Sequence, residues 1–140
     1  MTMYERIEHT ADVGLRVEAT TLNDLFAEAG RGLFELIVPN VADGRASQTL
    51  AIELRSDSLA DLLCDWLTEL VFLFETQRIV LSRFRVQVDD AAYSLQAQGT
   101  GEPLDTSRHR LGYEIKAVTY HELKLERAGN GWRAEVILDI

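Results

Sequence analysis

Apolar and polar residues alternate over several short stretches of the chain, and in two longer stretches the apolar period lengthens to three and four. Val13, Leu15, Val17 and Ala19 alternate with Gly14, Arg16 and Glu18, the period of a half-buried strand, and Tyr4 to Glu8 is a shorter strand candidate before it. Thr21-Leu22-Asn23-Asp24 then has the form of a capping box, with a hydroxyl and a carboxylate able to satisfy free N–H groups of a first helical turn. Leu22, Leu25, Phe26, Ala29, Leu33, Leu36 and Ile37 follow on one face, which predicts a helix from Leu22 to Val38 ended by Pro39. Gly30 and Gly32 lower its intrinsic propensity by about 1 kcal/mol each, and close packing against a sheet is a reason to tolerate them.

Asn40 to Ala46 reads as a polar loop. Thr49 to Arg55 alternates again, with Leu50, Ile52 and Leu54 inward. Ser58-Leu59-Ala60-Asp61 repeats the capping pattern and opens a second helix. Its stripe, Leu59, Leu62, Leu63, Trp66, Leu67, Leu70, Val71 and Phe74, is wider than a surface helix needs, so this helix is expected at the centre of the fold. Asp61, Asp65 and Glu69 form an acidic line on its other face, read as a solvated face or a docking surface for a basic partner.

Phe84, Val86 and Val88, then Tyr93, Leu95 and Ala97, alternate on either side of the turn Asp89-Asp90-Ala91, a hairpin pattern. Gly99 to Gly112 is loop-like, and Tyr113 to Arg127 carries a long strand pattern whose apolar phase changes near His121, as a bulge would produce. Gly129-Asn130-Gly131 is a turn before a last strand with Trp132, Ala134, Val136 and Leu138 on one face. Hairpins outnumber parallel crossovers. The expectation is an α+β fold, a largely antiparallel sheet with two helices, in a single domain covering residues 1–140.

Composition narrows the function classes. A chain of 140 residues with 46% apolar and 26% charged residues can bury a core unaided. Its formal charge of −9 disfavours direct nucleic-acid binding, which needs clustered Lys and Arg, and suits a basic partner protein or a cation. Cys64 is the single cysteine, so no intrachain disulfide forms. With neither a signal peptide nor a membrane-length apolar run, a cytoplasmic location is expected.

Most candidate chemistry fails on its own terms. His121-Glu122-Leu123-Lys124-Leu125 begins like a zinc-protease motif but has Leu125 where the second histidine belongs. Cys64 lies in a buried helical pattern without a paired base, and Gly99-Thr100-Gly101 lacks the rest of a phosphate loop. Glu8-His9-Thr10-Ala11-Asp12 concentrates two carboxylates and an imidazole where neither strand pattern continues, and the far end of the chain adds Asp139 and the terminal carboxylate of Ile140. If fold closure joins the two ends, Asp12, Asp139 and Ile140 form an oxygen-only set that would repel itself without a hard divalent cation, Ca²⁺, Mg²⁺ or Mn²⁺. His9 reads as a structural histidine beside it. No nucleophile with a paired base is visible, so no catalytic residue is assigned.

Tyr4-Glu5-Arg6-Ile7-Glu8-His9-Thr10-Ala11-Asp12-Val13-Gly14 resembles the opening of the archease family, Leu62-Leu63 through Trp66-Leu67-Thr68-Glu69-Leu70 its second helix, and Glu114-Ile115-Lys116-Ala117-Val118-Thr119-Tyr120-His121 with Val136-Ile137-Leu138-Asp139-Ile140 its closing block. The resemblance spans essentially the whole chain. It implies a small α+β protein that activates the RtcB-type GTP-dependent RNA ligase of tRNA splicing by promoting ligase guanylylation, without being an enzyme itself. It also implies a divalent-ion site at Asp12, Asp139 and Ile140, and a contact to partner or nucleotide by Lys116 and His9. The other role implied is a chaperone-like modulator of tRNA-modifying enzymes such as tRNA methyltransferases.

Overall fold

The computed structural model describes residues 3–8 and 11–140. Two antiparallel sheets enclose the first helix. Strands β1 (Met3–Glu8), β2 (Asp12–Ala19), β8 (Gly131–Asp139) and β6 (Ala117–Val118) lie side by side in that order in the larger sheet, and β7 (Lys124–Ala128) also pairs with β8. The smaller sheet has β3 (Gln48–Arg55) and β4 (Ile79–Asp89) on either side of β5 (Ser94–Pro103). The expected α+β class holds, with two helices.

Both helices start where the capping residues place them. The Thr21 hydroxyl accepts the Asp24 N–H at 3.1 Å to open α1 (Leu22–Ile37), and the Ser58 hydroxyl accepts the Asp61 N–H at 3.1 Å to open α2 (Leu59–Gln77). The expectation that α2 is the central helix needs correcting. Only Asn23, Asp24, Arg31 and Glu35 of α1 are exposed, whereas α2 leaves much of one side uncovered. The two glycines explain how α1 fits between the sheets. A Cβ on Gly32 would come within 2.9 Å of Leu15 and 3.1 Å of Tyr4, and one on Gly30 within 3.2 Å of Leu70 and Phe84. Each glycine therefore admits a different neighbour, the larger sheet on one side and α2 with β4 on the other. Trp66 of α2 joins the helices, donating its indole N–H to the Phe26 carbonyl at 2.9 Å.

The strand expectations fail in two places. Gly99 to Pro103, expected as loop, continues β5, because the glycines there let β4 approach. A Cβ on Gly101 would sit 1.9 Å from the Val80 carbonyl oxygen, beside a register shift between Leu81 and Arg83. The long strand expected from Tyr113 to Arg127 is broken. Residues 113–116 run without strand pairing, β6 is two residues long, and Glu122 sits at φ 53 in a left-handed turn before β7. The phase change near His121 is thus a turn rather than a bulge. Among the described residues, no helix is long and apolar enough to cross a membrane.

Candidate functional site

Register along β2 and β8 places the candidate residues. Val13, Leu15 and Val17 pair with Leu138, Val136 and Ala134, all buried in the core, so the intervening residues share the outer face. On that face carboxylates are paired with arginines. Arg16 bonds Glu135 at 2.7 Å and Glu5 at 2.5 Å, and Arg133 lies 3.3 Å from Glu126 and 3.9 Å from Glu18. At the end of the same face the matching stops: Asp12 pairs directly with Asp139. Residues directly opposite in an antiparallel ladder hold their side chains close on one face, and like charges so placed repel.

Three further backbone contacts assemble this end of the sheet. The Ile140 N–H reaches the Ala11 carbonyl at 3.3 Å, the Lys116 N–H donates to the Asp139 carbonyl at 2.8 Å, and Ala117 pairs with Asp139. Asp12, Asp139, Ile140 and Lys116, far apart in sequence, are therefore brought to one place. His9 lies outside the described residues, as does the side chain of Glu8. The Lys116 side chain is exposed and makes no ion pair among the described residues.

Whether these groups fit a cation is decided by Asp12. Its Oδ1 is buried and, among the described residues, has no hydrogen-bond partner, while a second carboxylate stands across the ladder and no described arginine or lysine pairs with either. A buried carboxylate oxygen left this way is costly unless a positive group meets it. Hard oxygen donors suit Ca²⁺, Mg²⁺ or Mn²⁺. Among the described residues no three His, Cys, Asp or Glu side chains gather into a metal-binding group.

The profile of the Archease protein family (MTH1598/TM1083) matches residues 4–140. The chain belongs to the archease family. It is 40% identical to the protein archease of Methanosarcina acetivorans, covering 98% of this chain and 95% of that one, and 36% identical to that of Pyrococcus furiosus over the full length of both. The solution structure of protein 1598 from Methanobacterium thermoautotrophicum superposes with a TM-score of 0.83 at 32% identity, covering 98% of each chain. A Thermotoga maritima crystal structure, described as an archease and possible chaperone, shares the fold with a TM-score of 0.68 at 22% identity.

Other candidates settle into structural places in this archease-family chain. Cys64 is buried, and burial pushes its thiol up from the ordinary range, as befits a core cysteine. Asp61, Asp65 and Glu69 are half-buried rather than a freely solvated line, and Asp65 accepts the Ser56 hydroxyl at 2.5 Å. His121 is exposed in a turn.

A polar cluster escaped the sequence reading. Glu102 and His109 are buried, the Arg108 guanidinium bonds Glu102 Oε1, and the Arg45 N–H bonds Glu102 Oε2. The Asp105 N–H donates to His109 Nδ1 at 2.8 Å, and His109 Nε2 lies 3.4 Å from Glu102. Chiefly through Arg108, then the Arg45 N–H and His109, the Glu102 carboxyl is held at about 2 against an ordinary 4.5, although burial pulls the other way. The cluster anchors the segment from Leu104 to Tyr113, which crosses the C-terminal ends of both helices. There Leu104 bonds the Arg78 carbonyl, Gly112 that of Ile37 and Tyr113 that of Leu36. The available signal was a Glu, an Arg and a His close together in a stretch with few apolar residues.

Proposed function

We propose that this archease-family chain is a non-catalytic activator of an RtcB-type GTP-dependent RNA ligase, promoting ligase guanylylation and multiple turnover in tRNA splicing and RNA repair. The observation that carries the reading is the facing pair Asp12 and Asp139, with the buried Asp12 oxygen lacking a partner among the described residues. Asp12, Asp139 and Ile140 would hold a divalent cation, Ca²⁺, Mg²⁺ or Mn²⁺, which when bound supplies concentrated positive charge for neutralising phosphate oxygens.

The chain's own residues then have distinct tasks. Asp12 and Asp139 orient their oxygens from adjacent strands, whose ladder fixes their separation. Lys116, exposed and tied by its backbone N–H to the Asp139 carbonyl, is assigned the contact to a phosphate or an acidic group of the ligase. His9, three residues before Asp12, is assigned to the same contact. The acidic surface elsewhere supports a protein partner over RNA.

Guanylylation of the ligase, followed with labelled GTP in the presence of wild type, Asp12→Ala or Asp139→Ala protein and with or without chelator, tests the reading. Stimulation by wild type that is lost in both variants supports it; equal stimulation by the variants defeats the metal-centred mechanism. The second reading, a chaperone-like modulator of tRNA-modifying enzymes such as tRNA methyltransferases, draws support from the description of the Thermotoga maritima relative. It differs in stoichiometry: an activator works substoichiometrically, whereas a chaperone suppresses aggregation near one to one.

A further inference from the structure

A groove of about 580 Å³ opens where the two helices end, well within the range of specific binding pockets. Ile37, Val71, Phe74, Leu111, Tyr113 and Ile115 supply the apolar part of its lining. Leu111 stands at its rim with 61% of its surface exposed. A second hollow of about 440 Å³ adjoins it across Gly112 and Tyr113. Gly112 is needed to form this surface, since a Cβ there would lie 2.4 Å from the Leu36 carbonyl oxygen.

Charge selects the occupant. Glu75 and Glu114 line the first hollow and Glu35 the second. All three are exposed, and none makes an ion pair among the described residues. Neither helix carries a basic residue in its last turn, and the one cation at either end is Arg78, the residue that caps α2. Arg78, the one cation lining the first hollow among the described residues, lies over the Phe74 ring, 5.7 Å from its centroid, and makes no ion pair among them. This contrasts with the outer face of the larger sheet, where Arg16 and Arg133 each lie against two carboxylates.

We infer that this groove docks a basic amphipathic segment of a partner protein, which seats an apolar side chain against Leu111, Tyr113 and Phe74 and sets Lys or Arg against Glu75, Glu114 and Glu35. A second copy of this chain is the wrong occupant, because two acidic rims of a protein carrying −9 would face one another. The inference does not depend on a metal at Asp12 and Asp139.

The probe is a fluorescein-labelled Lys/Leu peptide of about 18 residues, with leucines at helical spacing, titrated with the full chain in EDTA and read by anisotropy. A Glu/Leu peptide of the same pattern serves as control. Saturable one-to-one binding of the basic peptide is expected, weakened roughly tenfold or more by Leu111→Asp and by Glu75→Lys with Glu114→Lys. The double variant Glu53→Lys with Asp90→Lys, which makes the same charge change at exposed positions elsewhere, should bind like wild type. The melting curve of each variant confirms that it folds. Absence of binding, equal binding of the acidic peptide, or equal weakening in the Glu53/Asp90 variant would overturn the inference.

Discussion

Asp12 and Asp139 face one another across β2 and β8, two same-face rungs beyond the pair Arg16 and Glu135. One face of the sheet thus passes from carboxylates paired with arginines to opposed like charge within a few residues. The matched rungs stabilise the ladder locally. The opposed rung does so only if a positive group meets it, and the cation proposed there would tie the stability of this end of the fold to ion binding.

The Glu102 cluster makes an acid-sensitive contribution to stability. Its carboxyl is held at about 2, below the ordinary 4.5, so the folded state favours the charged form. The resulting stability is fully present above about 4.5 and is lost as pH falls toward about 2. Urea midpoints across this window should fall with pH in wild type, and this part of the fall should be absent in Glu102→Gln. The variant should also be less stable at neutral pH, because Arg108 loses its buried partner.

Gly101 and Gly129 separate close approach from backbone conformation. Alanine at 101 would place its Cβ 1.9 Å from the Val80 carbonyl oxygen, so β4 must move, and a loss of at least about 3 kcal/mol is expected. Gly129, at φ +60, has nothing within 4 Å of an added Cβ, so alanine there costs only the left-handed conformation, about 1–2 kcal/mol. Paired denaturant curves should rank the two in that order.

Each helix cap is separately measurable. Ser58→Ala and Thr21→Ala each free one N–H of a first turn, at Asp61 and Asp24, and should each cost about 1 kcal/mol in equilibrium unfolding. Glycine at the same positions should cost less than alanine.

These caps were legible in the sequence because capping is local: Thr21 with Asp24 and Ser58 with Asp61 carry their partners three residues away. The alternation of Val13 to Ala19 and of Trp132 to Leu138 was legible for the same reason. Their pairing in register is long-range, so the meeting of Asp12 with Asp139 could be reached only as a consequence of fold closure. Gly99 and Gly101 misled because glycine usually punctuates strands, whereas here it makes room for Leu81 and the Val80 backbone. The alternation after Tyr113 misled for a different reason. Residues 112 and 113 are bonded to the end of α1 rather than to a strand, and Glu122 turns the chain before β7. The Glu102, Arg108 and His109 cluster has no periodicity to betray it, since only the fold of the Leu104–Tyr113 segment brings its members together.

Ion-dependent stability tests the opposed carboxylates most directly. Thermal unfolding of metal-free wild type and Asp139→Asn protein, each titrated with Ca²⁺, Mg²⁺ and Mn²⁺, reads binding without reference to any ligase. Wild type should gain stability with at least one ion, approaching about 2.7 kcal/mol at a hundredfold excess over its Kd, while Asp139→Asn gains little. The metal-free variant should be at least as stable as metal-free wild type, since one of two facing charges is gone. A wild-type midpoint that none of the three ions moves, or an equal gain in Asp139→Asn, would contradict a cation site at Asp12 and Asp139.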